Sequence, residues 1–260
     1  MSTAKEAIRI APNSYPAVYN LMFSRVKIGR LGEAKLAFKE ARSRGVDAPA
    51  LHMARYWVAF LQNNAADMEE QVTWASGKQG AEQELLGAKY DTEAYHGRFV
   101  KARQLASDVL RAAVSQEAAG YATVSFALQE AEVGNADRAR KAAGEALRLT
   151  SGRADRASGA LVYALAGGST QALKIAAELN QEFPAYTYFR SAVPAIRAAV
   201  ALDQRDSADA IRILESARPY EMSEGSVAVI YVRGLAYLQA RKAILAAGGS
   251  RSSSTTPGPC

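Results

Sequence analysis

Residues 17–41 read AVYNLMFSRVKIGRLGEAKLAFKEA, the clearest structural pattern in the sequence. Apolar side chains recur at helical spacing up to Ile28, and the pattern breaks at the GRLG of residues 29–32. A second helical pattern follows, in which Ala34, Phe38 and Ala41 share one face. The small residues let two helices approach closely while the phenylalanine fills the space beside them. The stretch therefore predicts a helical hairpin.

Turns of the same kind recur along the whole chain. The residues at these turns are Gly29, Asn63, Gly97, Gly134, Gly167 and Arg205. Successive turn residues are separated by 34, 34, 37, 33 and 38 positions. A period of this size is typical of a helix–turn–helix solenoid, in which each unit buries its apolar face by stacking on its neighbours. The sequence therefore predicts an all-α fold, a right-handed superhelical solenoid of about six helix pairs.

The later pairs follow the same pattern. They occupy residues 51–76, 82–114, 121–149, 155–183 and 186–217, and a single helix covers residues 227–240. Because proline lacks a backbone N–H, we expect Pro194 to start a new helix or to kink the first helix of the sixth pair.

The predicted domain is a helical solenoid over residues 1–240, with an incomplete first repeat. Residues 241–260 are rich in Ser, Gly, Pro and Thr, and such a segment cannot bury enough apolar surface to order itself. We therefore predict a disordered or aberrant tail there. The array begins in mid-repeat and its pattern stops after Gln239, so we expect the chain to be a fragment or frame-shifted product of a longer coding sequence.

The composition is that of an ordinary globular protein with a basic excess. Apolar residues make up 49% and charged residues 22%, and the net charge is +6. That charge would suit nucleic acid, but the basic residues are spread thinly among acidic ones, which favours solvated helix faces.

Cys260 is the only cysteine, so no internal disulfide can form. No run reaches the ~18 apolar residues of a membrane span. We expect a cytoplasmic protein, or an extracytoplasmic one if a longer parent spans a membrane.

The first hairpin is similar to a tetratricopeptide repeat read in register. The matching residues are Val18, Tyr19, Asn20, Leu21, Gly29, Ala34, Phe38 and Ala41. Residues 7–12, AIRIAP, resemble the end of a preceding repeat in the same frame. This resemblance implies an array whose first helices line a concave face that binds peptides.

A larger resemblance covers residues 1–240. They look like the C-terminal repeat region of bacterial, notably acidobacterial, eukaryotic-like serine/threonine protein kinases. The phrases that carry it are WASGK (74–78), DTEAYHGR (91–98), ARPYE (217–221) and YVRGLAYL (231–238). The resemblance implies a kinase or winged-helix domain in a longer parent. It does not extend to kinase activity, because the chain lacks a G-x-G-x-x-G loop, a His-Arg-Asp and an Asp-Phe-Gly.

No other group of residues predicts chemistry. His52 and His96 are the only histidines, and neither has a cysteine or a second histidine at ligand spacing. His96 lies at a turn, where a structural or capping role is the favoured interpretation. We predict no catalytic residue, no metal and no cofactor, and hence a protein that is not an enzyme.

The candidate site is instead a groove along the first helices. In the tetratricopeptide frame its residues are Tyr19, Asn20, Phe23, Lys27, Met53 and Trp57. The three aromatic side chains would form a floor, Lys27 a basic edge, and Asn20 could bond the backbone of an extended peptide. In the competing interpretation, Phe23 and Trp57 simply pack between neighbouring pairs. Tyr19 and Phe23 stand where related arrays that clamp a terminal carboxylate carry Lys and Asn, so that ligand is not expected.

The predicted function is a protein–protein interaction scaffold or sensor module within a larger signalling protein, with a protein or peptide as its ligand. One alternative is a regulatory fragment of a serine/threonine protein kinase. A basic repeat protein that binds nucleic acid is the less favoured alternative.

Overall fold

The computed structural model describes residues 6, 8–220 and 226–241, and every regular element in that part is helical. The α-helices are α1 (Tyr15–Lys27), α2 (Leu31–Ser43), α3 (Pro49–Leu61), α4 (Ala65–Ala75), α5 (Ala81–Tyr95), α6 (Phe99–Arg111), α7 (Gln116–Glu132), α8 (Ala136–Leu149), α9 (Arg153–Leu165), α10 (Ser169–Glu182), α11 (Thr187–Asp203), α12 (Ser207–Glu215) and α13 (Ser226–Gln239). A short 3₁₀ turn covers Arg218–Tyr220. The predicted tail lies outside the described residues, apart from residue 241.

Consecutive helices pair as six hairpins, from α1/α2 to α11/α12, and α13 follows. The predicted all-α repeat fold is confirmed. Pro194 lies inside the continuous helix α11, so the expectation that it starts a new helix is wrong. Its missing N–H removes one intrahelical bond, but neighbours such as Phe189 and Ile196 are buried in the core and hold the helix together. No helix in the described residues combines the length and apolar character needed to cross a membrane.

The turn residues share one backbone conformation. The φ angles of Gly29, Gly97, Gly134 and Gly167 lie between 73° and 81°, in the left-handed region that glycine enters without steric penalty. Asn63 (54°) and Arg205 (66°) adopt the same region without being glycine. A left-handed residue after a helix lets the chain reverse within a few residues. The spacing that recurs in the sequence is therefore the number of residues from one of these tight turns to the next.

The chain forms two compact units, which meet in sequence between Val114 and Ser115. The first unit contains α1–α6 and two groups of buried apolar residues. One group lies among α1, α2 and α3 and includes Met22, Ala34 and Leu51. The other lies among α3, α4 and α5 and includes Tyr56 and Leu85. Each group fills the space between one hairpin and the next, as stacking of repeats requires.

The second unit contains α7–α13 and is built on small side chains. Ala139, Ala143 and Ala146 of α8 are completely buried, so that helix lies close against its neighbours. The largest core group surrounds α11 and includes Leu179, Ile196 and Leu214. Alanine favours helix formation, and its small side chain lets neighbouring helices approach closely. The buried alanines therefore account for both the helices and the short distances between them.

The second hairpin also has a polar interior. His52 is buried, and its ring stacks on Trp74 with 3.5 Å between centroids. Its Nδ1 lies 2.7 Å from Gln71 Oε1, and its Nε2 lies 2.8 Å from Asp47 Oδ1. Burial lowers the pKa of His52, although both hydrogen bonds oppose that shift. Both ring nitrogens thus have a partner, one on α4 and one in the connection before α3, which gives this histidine a structural role.

Candidate functional site

Helix α1 presents an aromatic and basic ladder. The rings of Tyr19 and Phe23 stack with 6.2 Å between centroids and 8° between planes. Lys27 Nζ lies 4.6 Å from the centroid of the Phe23 ring. These residues are four apart and therefore share one helix face. Phe23 is 48% exposed, whereas Tyr19 is half-buried against the α1–α3 core. We call Tyr19, Phe23 and Lys27 the α1 ladder.

Asn20 adds a polar group beside this ladder. It is exposed on α1, and its side chain makes no hydrogen bond to any residue in the described part of the chain. An amide of this kind carries both donors and an acceptor, so it can bond an extended backbone.

Met53 and Trp57 of α3 lie in a different environment. Both are half-buried and pack against the apolar group that includes Tyr56 and Leu85, between the second and third hairpins. The Trp57 ring makes edge contacts with Tyr56 and with Phe60. Trp57 therefore packs between neighbouring pairs while part of its surface stays accessible.

Trp57 contacts an aromatic group whose other members lie outside the predicted groove. Phe60 lies 5.9 Å from Trp57, 5.3 Å from Tyr95 and 6.1 Å from His96, measured between ring centroids. Tyr95 is 76% exposed. We call Trp57, Phe60, Tyr95 and His96 the aromatic ridge. Tyr95 is the last residue of α5, and His96 lies in the turn that follows. Tyr95 comes one repeat after Leu61, the last residue of α3, and only this spacing in the sequence could have suggested the position of the pair.

A pocket of about 260 Å³ lies beside the ridge, and Phe60 and His96 belong to both. At its floor the hydroxyls of Tyr56 and Thr92 lie 2.7 Å apart, and both residues are buried. Charged side chains from three helices and from the turn before α6 line it: Glu69, Lys89, Glu93, Arg98 and Lys101. We call this cavity the turn pocket, because it lies where the second and third hairpins reverse direction.

The charges of the turn pocket are organised by Glu93. Its side chain is 8% exposed, and its carboxylate accepts hydrogen bonds from Arg98 Nε and from Lys101 Nζ, the latter at 2.9 Å. The bond from Arg98 lowers the pKa of Glu93 and raises that of Arg98. Burial raises the pKa of Tyr56 to about 12. At neutral pH the pocket therefore holds ionised Glu93, two cations fixed beside it and a neutral phenol.

A shallower depression of about 470 Å³ lies in the second unit. Its walls are largely apolar and include Leu165, Leu202 and Leu235, with Asp203 and Arg205 at the rim. Within the described residues, no group of three or more His, Cys, Asp or Glu side chains could hold a metal ion.

The fold is that of a tetratricopeptide-repeat protein. The chain is similar to the crystal structure of a tetratricopeptide repeat protein from Parabacteroides merdae, with a TM-score of 0.58 over 94% of each chain. The two sequences are 17% identical, so the likeness shows the fold alone. No protein-family model and no curated protein matches the chain.

Proposed function

We propose that this chain is a protein-interaction module that binds a peptide segment of a partner on the first helices of its first unit. The exposed α1 ladder is the observation that carries the proposal. An aromatic ring that is half-exposed, stacked on a second ring and flanked by a lysine loses little conformational entropy when a ligand covers it. In this proposal the groove also includes Met53 and Trp57 of α3, which keep part of their surface accessible between the second and third hairpins, and Asn20, which would bond the peptide backbone.

A general scaffold role agrees with the tetratricopeptide-type fold, since repeat arrays offer extended surfaces and pre-formed grooves. Nucleic acid is the weaker candidate partner, because several basic side chains already pair with carboxylates. Arg156, for example, binds both Glu178 and Glu182.

A role in signalling, a cytoplasmic location and a kinase-linked parent stay predictions. Reading the genomic DNA upstream of Met1 tests the last of these.

Selection of random dodecapeptides on the purified full chain tests the binding proposal. We expect selected peptides to lose about tenfold in affinity when Phe23 is replaced by alanine, which corresponds to about 1.4 kcal/mol. Leu36→Ala is the matched control, since Leu36 is 58% exposed on the second helix of the same hairpin. Equal binding by both variants would refute the site. Tight, salt-dependent binding of a duplex oligonucleotide with no peptide selected would favour the nucleic-acid alternative.

A further inference from the structure

We infer that the turn pocket receives an acidic side chain, Asp or Glu, of the partner peptide, next to an apolar residue that covers the aromatic ridge. This inference rests on the proposed function and specifies the chemistry of its ligand. Four observations carry it: the charge of the pocket, the fixed geometry of its cations, its size and its position beside exposed rings.

The first observation is a surplus of positive charge. Lys89, Arg98 and Lys101 line the pocket, and Glu69 and Glu93 are the acidic residues that oppose them. Lys89 Nζ is occupied by Glu69, at 2.7 and 3.0 Å from its two oxygens. The two remaining cations share the single buried carboxylate of Glu93. One further carboxylate would neutralise the remaining positive charge of the pocket.

The second observation is that Glu93 orients these cations without using all their donors. Arg98 binds Glu93 through Nε, and its two terminal nitrogens have no partner among the described residues. Lys101 uses one of three ammonium donors on Glu93. Both side chains remain accessible, with 51% and 56% of their surfaces exposed. A guanidinium held at one edge is pre-organised for a second carboxylate, because charge-assisted bonds depend on fixed geometry.

Size argues for a single side chain as the occupant. The cavity of about 260 Å³ is below the range of roughly 300–1,000 Å³ that is usual for small-molecule sites. Its floor polar groups are satisfied internally: Thr92 Oγ1 donates to Lys89 O at 3.0 Å, so Tyr56 donates its hydroxyl proton to Thr92. A single carboxylate would neutralise the one positive charge that Glu69 and Glu93 leave unbalanced, whereas a doubly charged phosphate would leave the pocket with a negative excess.

The fourth observation is that the turn pocket lies beside the aromatic ridge, which indicates an apolar residue in the ligand. Phe60 and His96 line the pocket and also belong to the ridge, and Tyr95 beside them is largely exposed. A peptide whose acidic side chain enters the pocket would therefore lay its neighbouring residue on these rings. Burial of an apolar side chain there adds affinity that the charge pair alone would not provide.

Sequences selected from the dodecapeptide library give the first readout. We expect Asp or Glu adjacent to an aromatic or aliphatic residue in the selected peptides. Replacing that acid by its amide in a synthetic peptide should weaken binding about tenfold in a polarisation titration. On the protein, Ala65→Leu fills the pocket without changing charge, and Ala66→Leu is its control, since Ala66 is exposed but does not line the cavity.

Charge is tested separately. The triple variant E93Q/R98Q/K101Q removes the cations without leaving a buried carboxylate unpaired, and R44Q/R111Q removes two exposed cations of the same unit. Loss of binding in A65L and the triple variant, but not in A66L or R44Q/R111Q, would support the inference. Binding that depends on Phe23 but not on the pocket variants would overturn it and leave the proposed function standing. Failure to select any peptide would overturn both.

Discussion

The hydroxyl oxygens of Tyr56 and Thr92 lie 2.7 Å apart, and their hydrogen bond joins the first helices of the second and third hairpins. Tyr56 is 1% exposed, so the phenol has little access to water. The bond thus forms both part of the core between two repeats and the floor of the turn pocket. A change at either residue should affect the stacking of the repeats as well as the site.

Tyr56→Phe should reveal how much the buried hydroxyl contributes to stability at each pH. Burial raises the pKa of Tyr56 to about 12, above its usual 10. The stability due to the neutral phenol is therefore complete below pH 10 and is lost as pH rises through 12. We expect the variant to be less stable by about 1 kcal/mol at pH 8, and this gap to shrink above pH 10. Urea unfolding at several pH values measures it, and a gap that stays constant to pH 11.5 contradicts the prediction. Exposed Tyr121→Phe is the control at pH 8.

Glu93→Gln should change the response to acid. The hydrogen bond from Arg98 lowers the pKa of Glu93, so its contribution is present above the unfolded-state value and is lost as pH falls through the lowered folded-state pKa. Wild type should therefore lose more stability than the variant between about pH 5 and pH 3. Glu69→Gln is the matched control, because the Glu69 side chain is 59% exposed. Parallel stability curves for wild type and Glu93→Gln would refute the prediction.

Two helical glycines should respond in opposite directions to alanine. A Cβ at Gly120 would lie 2.9 Å from Thr150 Cβ and 3.0 Å from the Thr150 backbone nitrogen, so Gly120→Ala should destabilise the second unit by about 1–3 kcal/mol. A Cβ at Gly87 would meet nothing within 4 Å, and alanine favours helix, so Gly87→Ala should stabilise by about 0.5–1 kcal/mol. Thermal unfolding of the two variants tests this, and the same sign for both would contradict it.

Arg205 tests the conformation of the turns. It adopts a φ of 66°, where a side chain is strained and glycine is not. Arg205→Gly should therefore stabilise the chain by up to about 1 kcal/mol, despite glycine's greater freedom in the unfolded state. Arg205→Ala removes the same side chain without relieving the strain, and we expect no gain from it. Denaturant titration that ranks alanine above glycine would show that the turn is not strained.

The sequence alone was sufficient for the helices, their pairing and the turns. All six residues chosen from the repeat period occupy left-handed turns, including Asn63 and Arg205, because the spacing of apolar stretches identifies a reversal even without glycine. Helical periodicity is a local property, and pairing follows when each connection spans only a few residues. Pro194 was the exception, since burial of its helix outweighed a local preference.

The site depended on packing that local patterns do not encode. Sequence spacing placed Tyr19, Phe23 and Lys27 on one helix face, and the structure stacks them. The same spacing did not reveal that Phe60 and Tyr95 meet across two helices, or that Arg98 and Lys101 converge on buried Glu93. A period of one repeat fixes which helices are neighbours. Which side chains at the helix ends come within bonding distance depends on tertiary packing, because a small rotation of either helix would separate them.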